Sequence, residues 1–309
     1  MTQDIRASID IGSNSVLLLI GNVVQGKFVE ISKRSEITAL GKELDKNKAF
    51  RPDSMAATFE AIKSYAEDCD KHGIARDKII ATATEASRVA KNAQEFFQKI
   101  NTEIGITISV ISPEAEAYFS TKGILFDTNF ESEIITIMDI GGASTELIKV
   151  NTKTFQIIET VSMPIGAVRS TQWLDDDLFV QNLQKVFLDY RTTLDKFQTK
   201  ELFCVAGTIT SLGNMHLQHK EFHENDVHGL TLKIEDVDNL FKKYSNQTPE
   251  YYLEQFPFLQ KRSESIKGGL HLVYHLAHRL LVKSLTISTY GLRYGTILEG
   301  HIKQDFLHG

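Results

Sequence analysis

The sequence predicts an α/β protein built from two copies of one domain. Strand-like and helix-like segments alternate along its 309 residues, a length that suits two domains of about 150 residues each. A strand–turn–strand signature near the N-terminus returns 129 residues later. Duplication of a domain-sized unit is a sharper signal than either copy alone. The expected domains are 1–125, completed by a C-terminal helix at 298–309, and 126–297.

The first copy reads in order. Residues 7–11 and 16–24 are apolar strands around a Gly/Ser/Asn turn. Pro52 precedes a helix over 54–72, with Phe59, Ile62, Ala66 and Cys69 on one face and Gly73 as its stop. Cys69 is therefore expected in the core. A strand at 78–83, a helix at 93–103 capped by Asn92 with Gly105 beyond it, and a strand at 106–111 follow. Ser112 at N-cap and Pro113 at the first helical position then open another helix.

The pattern restarts near 133. Strands are expected at 134–138, 145–150 and 155–161, a long helix at 178–197 and a short buried strand at 202–206. A polar loop at 221–225, a helix at 264–283, a strand at 285–288 and a last helix after Gly291 complete the chain. His271, His275 and His278 share one helix but flank its apolar face, so they read as a structural stripe, not a metal site. Trp173, Tyr251, Tyr252, Phe256 and Phe258 read as packing residues, and Asp175 to Asp177 as a helix N-terminus.

Composition narrows the function. Hydrophobic residues make up 42% and charged residues 24%, an ordinary globular balance. The net charge of −6 argues against nucleic acid as a partner, and any anionic ligand needs a local pocket. Two cysteines exclude a disulfide framework and a four-cysteine zinc site. No apolar run approaches the ~20 residues of a spanning helix, so no membrane partner is expected; the two cysteines and the lack of an apolar signal-peptide core over residues 1–6 make a reducing cytoplasm the expected location.

The repeated signature carries the chemistry. Asp10, Ile11, Gly12, Ser13, Asn14 and Ser15 correspond to Asp139, Ile140, Gly141, Gly142, Ala143 and Ser144. Small residues between two strands let several backbone N–H groups converge on one anion, a phosphate cradle. A carboxylate at the strand end suits Mg²⁺, which takes a few carboxylates plus water and phosphate oxygens. Neither a P-loop nor a dinucleotide-binding glycine motif occurs.

With these residues in hand, the chain resembles the exopolyphosphatase/guanosine pentaphosphate phosphohydrolase (Ppx/GppA) phosphatases. The likeness runs through both signatures, the segments 83–92, 111–117 and 162–169, Ala206 to Thr208, Arg262, and Gly291 to Arg293. It implies two duplicated actin-like domains of the sugar kinase/actin superfamily, ribonuclease H-like in topology, with an interdomain cleft, in the short two-domain form. It also implies Mg²⁺-dependent hydrolysis of terminal phosphoanhydride bonds of polyphosphate or guanosine pentaphosphate.

Residue roles follow from the same resemblance. Glu116 is the expected water-activating base; it lies one helical turn in, where capping does not explain it. Gly12, Ser13, Asn14, Ser15, Arg88, Gly141, Gly142, Ala143, Ser144 and Arg293 are expected to bind phosphate, and Arg262 or Lys267 to bind more of the substrate. Asp139, Asp10 and Glu146 are the expected Mg²⁺ ligands. Three places depart from the family pattern: Ala143 for a third glycine, Tyr118 for an arginine, and Thr289, Tyr290 and Tyr294 around the last motif. The alternatives are a low-turnover binder of guanosine polyphosphates and a kinase of the same superfamily. A homodimer is among the expected assemblies.

Overall fold

The structure, a computed structural model, describes residues 4–24, 27–127 and 130–308. The chain divides into two units, Met1–Asp127 with Tyr290–Gly309, and Thr128–Thr289. The return to the first unit thus begins at Tyr290, eight residues before the expected 298. The whole C-terminal helix, Leu292–Glu299, packs in that unit, so the chain must cross before the helix starts.

The first unit holds β1 (Ile5–Ile11), β2 (Ser15–Val24), β3 (Lys27–Ile37), α1 (Leu44–Asn47), α2 (Pro52–Lys71), β4 (Ile80–Ala83), α3 (Glu85–Val89), α4 (Ala93–Ile104), β5 (Ile108–Val110) and α5 (Pro113–Asp127). Its sheet runs β3-β2-β1-β4-β5. β1–β2 and β2–β3 are antiparallel, and β1–β4 and β4–β5 parallel. Ile9, Ile11, Leu18, Ile20, Ile62, Tyr65, Cys69 and Ile100 build the core. Burial pushes the Cys69 thiol up to about 12, an inert core thiol.

Two local expectations change. β3 was not foreseen, because its edge position leaves charged residues along it. Asn92 stands at the N-cap of α4, but its side chain bonds the Phe50 backbone at 2.8 and 3.0 Å instead of the helix amides.

The second unit holds β6 (Ile134–Ile140), β7 (Thr145–Asn151), β8 (Ile157–Met163), α6 (Ala167–Asp175), α7 (Phe179–Asp189), α8 (Arg191–Lys196), β9 (Glu201–Val205), α9 (Ala206–His216), α10 (Glu224–Val227), β10 (Thr231–Lys233), α11 (Ile234–Tyr244), α12 (Pro249–Gln255), α13 (Ile266–Arg279) and β11 (Ser284–Ile287). The sheet order is β10-β11-β9-β6-β7-β8. Without the short edge strand β10, strand order and directions repeat those of the first unit. That shared order is the ribonuclease H-like topology of the actin-like fold.

Some predicted helices are shorter. The helix at 178–197 breaks at Tyr190, and that at 264–283 is a 3₁₀ segment (Pro257–Glu264) followed by α13. The polar loop at 221–225 enters α10 at Glu224. The acidic run closes α6 rather than opening a helix: Asp175 is its last residue and Asp177 is left-handed at φ 56°. Tyr252 and Phe256 are core, with Trp173, Tyr251 and Phe258 packed on it.

Candidate functional site

The two signatures fold into the same turn. The Gly12 N–H donates to Ser15 O at 3.0 Å, and the Gly141 N–H to Ser144 O at 3.0 Å. A Cβ on either glycine would stand 3.3 Å from that acceptor, tighter than a side chain normally packs. Ala143 is not among the described residues with positive φ. Its methyl group therefore costs no backbone strain.

Each turn has its carbonyls tied off by a neighbouring segment. In the first, Ser13 O accepts from Gly41 N at 2.7 Å, and Asn14 O from Thr38 N and Ala39 N at 3.1 and 3.0 Å. In the second, Gly141 O accepts from Ala167 N, and Gly142 O from Val168 N and Arg169 N, at 2.8–3.2 Å. These bonds consume acceptors, not donors, which suits a turn meant to offer N–H groups to an anion. Ser13 and Ser144 are buried in their turns.

Glu116 lies in the first turn of α5. Ser112 Oγ accepts from Ala115 N at 3.2 Å, the cap the sequence predicts. Glu116 is only 8% exposed, and both terminal nitrogens of Arg88 donate to its Oε2 at 3.1 Å. Arg88 also donates to Ile111 O at 2.8 Å. The structure thus brings Arg88 to Glu116, a pairing that their separation in sequence hid. Arg293 donates to Leu18 O at 3.0 Å, a bond that ties the C-terminal helix to β2.

Asp139 and Glu146 are directly opposed on β6 and β7. Glu146 is 2% exposed, and Ser162 Oγ donates to its Oε1 at 2.6 Å. Asp10 belongs to the first unit, on β1. Among the described residues, no group of three or more His, Cys, Asp or Glu is placed to hold a metal. A pair of carboxylates facing one another across two strands still fits Mg²⁺, which draws most of its ligands from water and phosphate.

Further groups surround the second turn. Arg169, 8% exposed, donates to Ala143 O at 2.5 Å. Ala206 opens α9 at φ 77°, a strained conformation for a residue with a side chain. A Cβ on Gly207 would sit 2.2 Å from the Arg262 guanidinium, which donates to Gly207 O at 2.6 Å and Ser211 Oγ at 3.1 Å. The small residue at 207 is the signal for that close approach.

The histidine stripe is structural. His271 packs edge-on to Phe179 and Phe241 at 5.2 and 4.8 Å, and His278 bonds Asp238 at 2.8 Å. No helix among the described residues is long and apolar enough to cross a membrane.

Comparison with known proteins fits this geometry. A bifunctional 3-dehydroquinate synthase/phosphatase of Fusobacterium nucleatum is 31% identical over 96% of this chain, which spans 46% of that protein's length. Exopolyphosphatase 2 of Mycobacterium tuberculosis is 25% identical over 95% of this chain and 97% of its own. A guanosine-5'-triphosphate,3'-diphosphate pyrophosphatase of Vibrio cholerae is 28% identical over 97% of this chain and 60% of its own. The crystal structure of the Aquifex aeolicus Ppx/GppA family member superposes with a TM-score of 0.77 at 27% identity, over 96% of this chain and 97% of that one. The Ppx/GppA phosphatase family profile matches residues 19–303, and the chain belongs to that family.

Proposed function

We propose that the protein hydrolyses terminal phosphoanhydride bonds of inorganic polyphosphate or guanosine pentaphosphate. The observation that carries this reading is Glu116, a carboxylate buried at the start of α5 and held by the Arg88 guanidinium. Relatives named for both activities support it.

Phosphoryl transfer to water asks the protein to place the phosphoryl group, offset its charge and orient the nucleophile. In each unit the turn amides bind phosphate oxygens, with Ser13, Asn14 and Ser15 beside them in the first and Ser144 in the second. Glu116 takes the proton of the attacking water, and Arg88 keeps its carboxylate in one orientation. Asp139 and Glu146 would hold Mg²⁺, which supplies positive charge to phosphate oxygens when bound; Asp10 is the corresponding carboxylate of the first unit. Ser162 fixes the Glu146 carboxylate.

The test is phosphate release from long-chain polyphosphate and, separately, guanosine pentaphosphate, each with Mg²⁺. Release from at least one is expected. Glu116→Gln should cut kcat by about 10²–10⁴-fold, the usual worth of a positioned base, with substrate affinity kept. A folded protein that releases phosphate from neither substrate sinks the reading. Tyr118 favours one variant of it. Its hydroxyl donates to Glu299 at 3.1 Å and its ring packs on Phe306, so a phenol bound within the first unit stands where the resemblance implies an arginine. Tight binding of guanosine pentaphosphate without release would identify a low-turnover binder instead.

A further inference from the structure

The two phosphate turns solve one problem with different parts. A peptide carbonyl pointing at a phosphate oxygen repels it, so each turn must hold its carbonyls away from the ligand. In the first turn the third residue, Asn14, has its carbonyl held by two backbone amides, Thr38 and Ala39. Ala39 adopts φ 50° there, an uncommon conformation for alanine.

In the second turn the backbone amides run out. Ala167 N takes Gly141 O, and Val168 N and Arg169 N both take Gly142 O. Gly166 presses so closely that a Cβ there would lie 2.6 Å from Ala143 N. The third carbonyl, Ala143 O, is held by a side chain: the buried guanidinium of Arg169, at 2.5 Å.

We propose that Arg169 is a positioning residue of the second phosphate turn, which fixes the peptide after Ala143 with its N–H side toward the ligand. It does in the second copy what the 38–39 backbone does in the first. The ligand class is a phosphate chain, as in the proposed function on which this inference rests. The bond is charge-assisted and buried, the strong kind. Without it, a buried carbonyl loses its partner and the peptide is free to turn.

Two measurements on Arg169→Gln and Arg169→Lys decide the matter. The first is hydrogen–deuterium exchange of the free protein. Arg169→Gln should speed exchange at Gly141, whose N–H is bonded to Ser144 O across the turn, about tenfold or more, and Arg169→Lys about threefold, with β6 and α9 unchanged. Wild-type exchange at the turn in both variants, or an equal rise throughout the second unit, overturns the proposal. The second is the KM for inorganic tripolyphosphate with Mg²⁺. It should rise about tenfold in Arg169→Gln, with Tm within about 3 °C of wild type, and recover most of the way in Arg169→Lys. An unchanged KM in Arg169→Gln overturns the proposal. If Arg169→Gln does not fold, Arg169→Lys carries the test, and wild-type exchange in it counts against the role. The exchange measurement needs no turnover. A protein without phosphatase activity would defeat the proposed function and still leave the role of Arg169 decided.

Discussion

Removing the Arg88 guanidinium leaves a carboxylate that is 8% exposed and stripped of its counter-charge. Breaking a buried pair from one side typically costs about 3–5 kcal/mol. Arg88→Ala should therefore lower unfolding stability by that amount in urea titration, and Arg88→Lys by less. A loss under 1 kcal/mol would show that the pair is not buried in solution. The histidines make a second prediction. Burial is the main cause that lowers the pKa of His271 and of His275; the Ser245 carbonyl partly opposes it at His271. Both bind protons more readily when unfolded. Stability is thus full above about pH 6.5 and falls as pH drops through the window below it. His271→Gln with His275→Gln should flatten that slope in a series of melts between about pH 7 and 5. At this scale the resemblance singled out Glu116, and the structure finds it buried beside Arg88 instead of on an open helix face. The sequence hid the Arg88 partnership, since contact between α3 and α5 depends on the sheet order.

The helix that carries Glu116 is packed unusually closely. A Cβ on Gly295 would lie 1.9 Å from Phe119 O, and one on Gly123 would lie 2.2 Å from Gly291 O. Backbone against backbone has no flexible side chain to yield. Gly295→Ala should cost about 1–3 kcal/mol or more, read as a lower urea midpoint, and an unchanged midpoint would refute the close approach. Glu299, on the same helix pair, is pushed up by burial, but Lys122, Lys303 and the Tyr118 hydroxyl outweigh it and lower its pKa. Its contribution is present above the ordinary carboxylate value and lost as pH falls through its lowered one. Glu299→Gln should flatten the acid limb of the stability curve. The departures at Tyr118 and Tyr294 find an account here: each phenol bonds a carboxylate, Glu299 at 3.1 Å and Glu30 at 2.8 Å. The signature hairpins were legible because glycine turns and apolar strands are local signals. β3 and the break at Tyr190 were not, because pairing partners and packing decide them.

The two-copy organisation was the most legible feature, since a repeat needs no contact information. The point where the chain returns to the first unit was not, because it follows from helix packing rather than composition. The acidic net charge is compatible with a polyanion ligand if backbone amides and a few arginines do the binding. In the first unit, Ser8 Oγ bonds Thr296 Oγ1 at 2.6 Å, Arg6 donates to Ile297 O at 2.9 Å, and Phe306 to His308 lie along β5 and the start of α5. The second unit is one uninterrupted stretch, Thr128–Thr289. Expressed alone, 128–289 should unfold cooperatively by circular dichroism, whereas 1–127 should not until a 290–309 peptide is added. A ribosome reads these segments in one direction. The second unit has all its chain as soon as residue 289 emerges, while β1 waits for partners that follow residue 289. The unit that holds Glu116 is therefore the later to mature, and its exposed strands are where a nascent chain would most need a chaperone.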